Sequence, residues 1–208
     1  MSKIEIEDEF KIETKICRDL FEKKTRDYGT SWRVLRLPSL TDQIFIKANR
    51  IRSIQETGEN LVGEAIEPEF VAMVNYAVMA LIQRDLLLAG EKEMEIPLDR
   101  ALKLYDKHLQ STVDLMLKKN HDYGEAWRQM RVSSMVDLIL MKLMRIKQIE
   151  DHDGKTLVSE GVEGGYADII NYSLFCLIRL RTPPAHQNKT EKQALPILGE
   201  LQFKQDLN

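Results

Sequence analysis

The sequence predicts an all-α protein: a tandem, pseudo-twofold repeat of three-helix units packed as a helical bundle. Three observations carry that prediction. Residues 23–36 read KKTRDYGTSWRVLR and residues 118–131 read KKNHDYGEAWRQMR, and self-similarity at a fixed offset marks a duplicated unit. Apolar residues recur at helical spacing, and β-branched content is too low for a sheet protein. The third segment of each copy is apolar on almost every side, which is the pattern of a buried helix.

The first helix is placed from about Thr14 to Arg26, with residues 1–13 as an N-terminal extension and repeat 1 spanning 14–90. Asp27-Tyr28-Gly29 ends it, because glycine takes the left-handed conformation of a helix C-terminus without cost. The second helix is expected to open at Ser39-Leu-Thr-Asp42, a capping-box pattern echoed by Ser134-Met-Val-Asp137, with Asp42 and Asp137 as capping residues. After the loop TGENLVGEAIE, Pro68 suits the first turn of a third helix that runs to Gly90. Residues 91–97 form an acidic linker. Pro97 starts the longer first helix of repeat 2 (98–181), which extends to about Asn120. Thr182-Pro-Pro184 stops the last helix, and residues 182–208 read as a tail.

Composition narrows the function classes. The chain has 208 residues, is 43% hydrophobic and 30% charged, and has a net charge of −3. That balance fits soluble globular domains, and direct nucleic-acid binding, which uses a basic surface, is not expected. No charge-free apolar stretch of membrane-spanning length stands out, and the polar segment MSKIEIEDEF does not read as a signal peptide. Cys17 and Cys176 sit in apolar helical patterns as small buried hydrophobes, so a reducing cytoplasm is the expected compartment. Homo-oligomerisation is compatible with all of this.

Many of the positions that match across the repeat are charged, aromatic or glycine, types that packing alone does not demand. In repeat 2, Glu160, Glu163, Asp168 and Asn171 would span roughly 140° of a helix surface, so all four could face one place. Hard cations such as Mg²⁺ take several oxygen ligands and neutralise phosphate charge. Glu160, Glu163 and Asp168 are therefore the candidate metal ligands and catalytic carboxylates, with Glu64 and Glu67 as their counterparts in repeat 1. Asn171 and Asn75 would orient a ligand or water. Repeat 1 has Ala72 where repeat 2 has Asp168, so repeat 2 is the better site.

Lys47/Arg50, matched by Lys142/Arg145, form i, i+3 cationic pairs on otherwise apolar helices. Phosphate oxygens suit them, arginine by its fork and lysine as a point charge. An ion pair with the acidic set would serve them equally. The D-Y-G-x-x-W-R blocks supply Asp27, Tyr28, Trp32 and Arg33, and Asp122, Tyr123, Trp127 and Arg128, as a candidate base-stacking and phosphate-contacting set. Tryptophan after a helix end also plugs bundles, and that reading stands beside the first. No glycine-rich phosphate loop and no Cys/His zinc spacing is present, and Arg26 replaces His121, which excludes a general-base histidine common to both copies.

In these elements the chain resembles the family first catalogued as a domain of unknown function and later called nucleotide-modification-associated domain 1. Its pattern is K-x-x-D-Y-G with a following tryptophan, then K-x-x-R, then an acidic stretch leading to D-x-x-N-Y. Here it reads Lys119…Asp122-Tyr123-Gly124, Trp127, Lys142/Arg145, and Glu160/Glu163 before Asp168, Asn171 and Tyr172; copy one departs at Ala72. The resemblance covers about residues 14–180 and implies a link to nucleotide metabolism or base modification. A remoter similarity is to the all-α nucleoside triphosphate pyrophosphohydrolases of the MazG and dimeric dUTPase type, which are Mg²⁺-dependent, although Lys142-x-x-Arg145 stands where those have paired glutamates.

Two functional readings follow. In the first, repeat 2 binds, or binds and hydrolyses, a nucleoside triphosphate, a modified dNTP or a pterin triphosphate. Mg²⁺ is then held by the carboxylates, and the phosphates by Lys142 and Arg145. In the second, the same charged residues form a structural ion-pair network in a non-catalytic assembly module.

Overall fold

A computed structural model describes residues 3–152, 154 and 161–181. Among the described residues there are six α-helices and no strand. They are α1 (Lys3–Tyr28), α2 (Leu37–Thr57) and α3 (Glu67–Leu88) in repeat 1, and α4 (Leu98–Tyr123), α5 (Val132–Asp151) and α6 (Val162–Arg181) in repeat 2. Short 3-10 turns, Ser31–Val34 and Ala126–Gln129, carry the two tryptophans.

The helices stack in three antiparallel-paired layers. The apolar α3 and α6 form the middle layer, with α2 and α5 on one side and α1 and α4 on the other. Phe70, Met73, Val74, Ala77, Val78 and Ile82 of α3 are wholly buried, as are Ile169, Ile170, Leu174 and Cys176 of α6. By length and composition α3 is apolar enough to cross a membrane, yet 67% of that window is buried inside the bundle. Its apolarity is therefore spent on the core.

The structure revises two features of the sequence reading and adds a third. First, α1 starts at Lys3, so its described residues include most of the supposed extension. The reason lies in Ile6, Phe10, Glu13 and Cys17, which recur at helical spacing and are all buried. Phe10 packs edge-on against Trp127 and Phe175 of repeat 2, at 6.3 and 5.9 Å between ring centroids. Helix α1 thus belongs to both halves of the bundle.

Second, the capping boxes do not form. Helix α2 begins at Leu37, with extended Arg36 before it and Pro38 in its first turn, and α5 begins at Val132 after extended Arg131; no side chain caps either start. Proline fixes φ at a helical value and gives up an N–H that a first turn leaves unpaired anyway, so α2 starts earlier than Ser39. Asp42 and Asp137 instead reach across the α2–α5 seam. Lys147 meets Asp42 at 2.5 Å and Arg52 meets Asp137 at 3.7 Å. The two contacts are the same pair seen from opposite ends of the pseudo-twofold axis, the self-complementary signature of a twofold interface.

Third, the linker is strapped down. Arg33 donates to the carbonyl oxygens of Glu91 and Glu93, and the backbone N–H of Ile96 donates to Thr30 Oγ1 at 2.9 Å. At the helix ends, Gly29 and Gly124 take φ of +61° and +59°, as read from the sequence.

Candidate functional site

The two K-x-x-R pairs meet different surroundings, and the difference lies in the facing helix. In repeat 1, Lys47 and Arg50 of α2 point at Glu69 in the first turn of α3. Arg50 donates to Glu69 Oε1 at 2.9 Å and Lys47 Nζ lies 3.1 Å from Oε2. Arg50 also donates to the Glu64 carbonyl at 3.2 Å. Glu69 is buried, so its carboxylate stands where water is scarce and two cations compensate it.

Repeat 2 carries Gly165 in the place of Glu69, and Asp168 in the place of Ala72. The carboxylate has moved by one helical turn. Asp168 takes Lys142 at 2.6 Å, while Arg145, the counterpart of Arg50, is exposed and has no hydrogen bond or ion pair among the described residues. Where Glu69 fills repeat 1, repeat 2 has a cavity of about 230 Å³ walled by α4, α5 and the start of α6. Lys119, Lys142, Arg145, Asp168, Asn171 and the three glycines 161, 164 and 165 are among its lining.

Each wall follows from the local sequence. Gly165 lets α6 approach α5 closely, since a Cβ there would stand 2.8 Å from Ile146 Cγ1. Gly164 stands where repeat 1 has Pro68, so the first turn of α6 keeps a backbone N–H that α3 lacks. First-turn N–H groups have no partner within their helix, and the helix dipole adds positive potential there. Asn171 Oδ1 is buried with no hydrogen-bond partner, whereas its counterpart Asn75 accepts from Tyr105. Burial raises the Tyr172 hydroxyl pKa, helped by Asp168 and opposed by Lys142. Lys119, the first residue of the K-x-x-D-Y-G motif, lines the cavity although the candidate set omitted it.

The other candidate residues lie elsewhere. Glu163 pairs with Arg84 of α3, outside the cavity lining, and Glu160 falls outside the described residues. Glu64 is exposed and Glu67 half-buried. Among the described residues no three acidic, histidine or cysteine side chains gather into a metal-holding group. Among the described residues Asp168 is held by Lys142 and Glu163 by Arg84, so these two carboxylates do not converge as a ligand pair for Mg²⁺.

The stacking set is not brought to the cavity either. Trp127 is buried, stacks on Phe175 at 4.5 Å and 6°, and donates from Nε1 to Asn120 at 2.9 Å. Arg128 lies 4.4 Å over that ring and pairs with Glu9 and Glu125. Trp32 is buried, and Arg33 is spent on Gln83 and the linker carbonyls. Tyr28 and Tyr123 stand in solvent, as do Asp27 and Asp122, the latter beside His121. The bundle-plug reading of the tryptophans is the one this packing supports.

A larger groove of about 650 Å³ runs between α1 and α4 over Phe10, Leu109 and Val113. Its cations are already paired, Arg18 with Asp106 and Glu22, Lys15 with Asp19, and Lys11 with Asp8. The smaller cavity is the chemically distinctive one.

Among known families, the one described as nucleotide modification associated domain 1 matches residues 24–84 and again residues 119–180. The chain belongs to that family. It carries the domain twice, and the two matches coincide with the two repeats. Membership links the chain to nucleotide modification, at the level the family description states. No curated protein and no solved structure matches the chain.

Proposed function

We propose that repeat 2 of this nucleotide modification associated domain protein binds a phosphorylated nucleotide or nucleotide-like ligand, seating its phosphate end in the α4–α5–α6 cavity. The observation that carries the proposal is the unequal fate of one residue pair: Arg50 is held by a buried glutamate, while Arg145 lines a cavity and has no ion pair among the described residues. An arginine fork, two lysines and the start of α6 converge there, the combination that suits phosphate oxygens. At about 230 Å³ the cavity falls below the ~300–1,000 Å³ of sites that enclose a whole small ligand. It therefore seats phosphates, with sugar and base projecting past exposed Lys119 and Arg145.

The structural reading of the same charges is supported in repeat 1, where the ion pairs close on themselves. In repeat 2 the ligand reading is favoured. Asp168 competes for Lys142, so an arriving phosphate either displaces that carboxylate or shares the ammonium with it. Hydrolysis needs an activated water, and in repeat 2 the described carboxylates Asp168 and Glu163 are each paired with a cation, so the proposal is one of binding.

Calorimetric titration with a panel of dNTPs, modified dNTPs and inorganic tripolyphosphate tests this. Wild-type chain should bind at one site. Arg145→Ala should weaken binding by about tenfold to a hundredfold, from the ~1.5–3 kcal/mol of a hydrogen bond to a charged group. A folded wild-type chain that binds no phosphorylated compound, or an Arg145→Ala chain that binds as tightly as wild type, overturns the assignment.

A further inference from the structure

We infer that Glu69 is a built-in occupant of the repeat 1 site: its carboxylate stands where the ligand's phosphate stands in repeat 2. Each chain therefore has one working site and one self-occupied copy. The inference rests on the binding reading above and adds the location of the bound anion.

Register and chemistry support it together. Lys47 corresponds to Lys142, Arg50 to Arg145, Asn75 to Asn171, and Glu69 to Gly165. In repeat 1 the two cations converge on the two Glu69 oxygens, at 3.1 and 2.9 Å. In repeat 2 the two corresponding cations and Gly165 line one cavity. An anion therefore belongs between these cations in both copies, supplied by the chain in one and from outside in the other. The neighbouring positions change in step. Gly164 and Gly165 replace Pro68 and Glu69, which removes bulk and restores a backbone donor at the helix start. Ala72 and Asp168 exchange the remaining carboxylate, so that Lys142 keeps one partner while Arg145 is released. A carboxylate and a phosphate oxygen pair present the same acceptor geometry to a guanidinium fork, which makes the substitution chemically apt.

The experiment exchanges the two sites. Pro68→Gly, Glu69→Gly and Ala72→Asp together give repeat 1 the matching residues of repeat 2, and Gly164→Pro, Gly165→Glu and Asp168→Ala give repeat 2 those of repeat 1. Each full-length chain is checked for its helical circular dichroism and titrated calorimetrically with inorganic tripolyphosphate. Wild type should take up one equivalent, the first exchange two, and the second none. A first-exchange chain that is folded and still binds one equivalent overturns the inference, while the repeat 2 site itself stands. A second-exchange chain that keeps its equivalent also overturns it. Absence of binding by wild type and by both exchanged chains defeats the inference and the binding proposal alike. Should the first exchange fail to fold, the second decides the matter alone.

Discussion

Tyr105 donates its hydroxyl hydrogen to Asn75 Oδ1 at 2.6 Å, and both residues are buried. The pseudo-twofold partner of Tyr105 is Phe10, which has no hydroxyl, and the partner of Asn75 is Asn171, whose Oδ1 is left without a hydrogen bond. One copy thus seals its repeat-matched asparagine into the core, and the other leaves it polar and unsatisfied at the cavity. Tyr105→Phe should cost about 1–3 kcal/mol, because it orphans a buried acceptor. Urea denaturation measures this. A loss below a few tenths of a kcal/mol would show that Asn75 finds another partner.

The two glycine helix ends should respond differently to alanine. Both sit in the left-handed region, so either substitution strains the backbone by about 1 kcal/mol or more. At Gly29, however, a Cβ would stand 2.5 Å from the Glu95 carboxylate, which accepts from the Thr30 N–H at 3.1 Å, while at Gly124 it meets nothing within 4 Å. Gly29→Ala should therefore be the more destabilising of the two in thermal melts. Equal melting shifts would mean that the Glu95 contact can be surrendered freely.

Glu150 gives the protein a pH dependence of definite sign. Its carboxylate accepts from Thr41 at 2.8 Å and from Tyr166 at 3.2 Å. Desolvation by burial nevertheless dominates those bonds and, with Asp42 and Asp151 nearby, raises its pKa above the ordinary glutamate value of 4.5. A carboxyl group whose folded pKa is raised binds more protons in the folded state. Its stabilising contribution is present below 4.5 and is lost as pH rises through the folded value. Glu150→Gln should therefore be more stable than wild type at neutral pH, and the difference should shrink to nothing in acid. Denaturation midpoints that diverge on acidification would refute this.

Asp168 and Lys142 make the sharpest contrast between the rival roles of the acidic residues. If Asp168 only competes for Lys142, Asp168→Asn frees the ammonium and tightens tripolyphosphate binding several-fold. If Asp168 is a ligand for an essential Mg²⁺, the same variant loses Mg²⁺-dependent binding. Titrations with and without Mg²⁺ separate the outcomes, and the geometry at 2.6 Å predicts the first.

The helices, the repeat and the glycine ends were legible because each depends on local pattern. The buried α3 and α6 were legible for the same reason: apolarity on all faces leaves no other place for them. Ion-pair partners were not, since they depend on which turn of a facing helix comes opposite. Glu69 was passed over in favour of Glu64 and Glu67, although the one-turn exchange of Glu69/Ala72 for Gly165/Asp168 was visible in the aligned repeats. The start of α2 was misplaced because Ser39 and Asp42 imitate a capping box, while Pro38 fits the first turn just ahead of them. The tryptophans were open between ligand and core; the burial of both, and the packing of Trp127 against Phe10 and Phe175, supports the core.

The most direct test of the central claim is an experimental structure of the full chain with tripolyphosphate bound. Phosphate oxygens should lie within hydrogen-bonding distance of Arg145, of Lys142 and of the first-turn N–H groups of α6, with Glu69 still clasped by Lys47 and Arg50. Phosphate found instead in the groove between α1 and α4, with the repeat 2 cavity bare, would contradict the account.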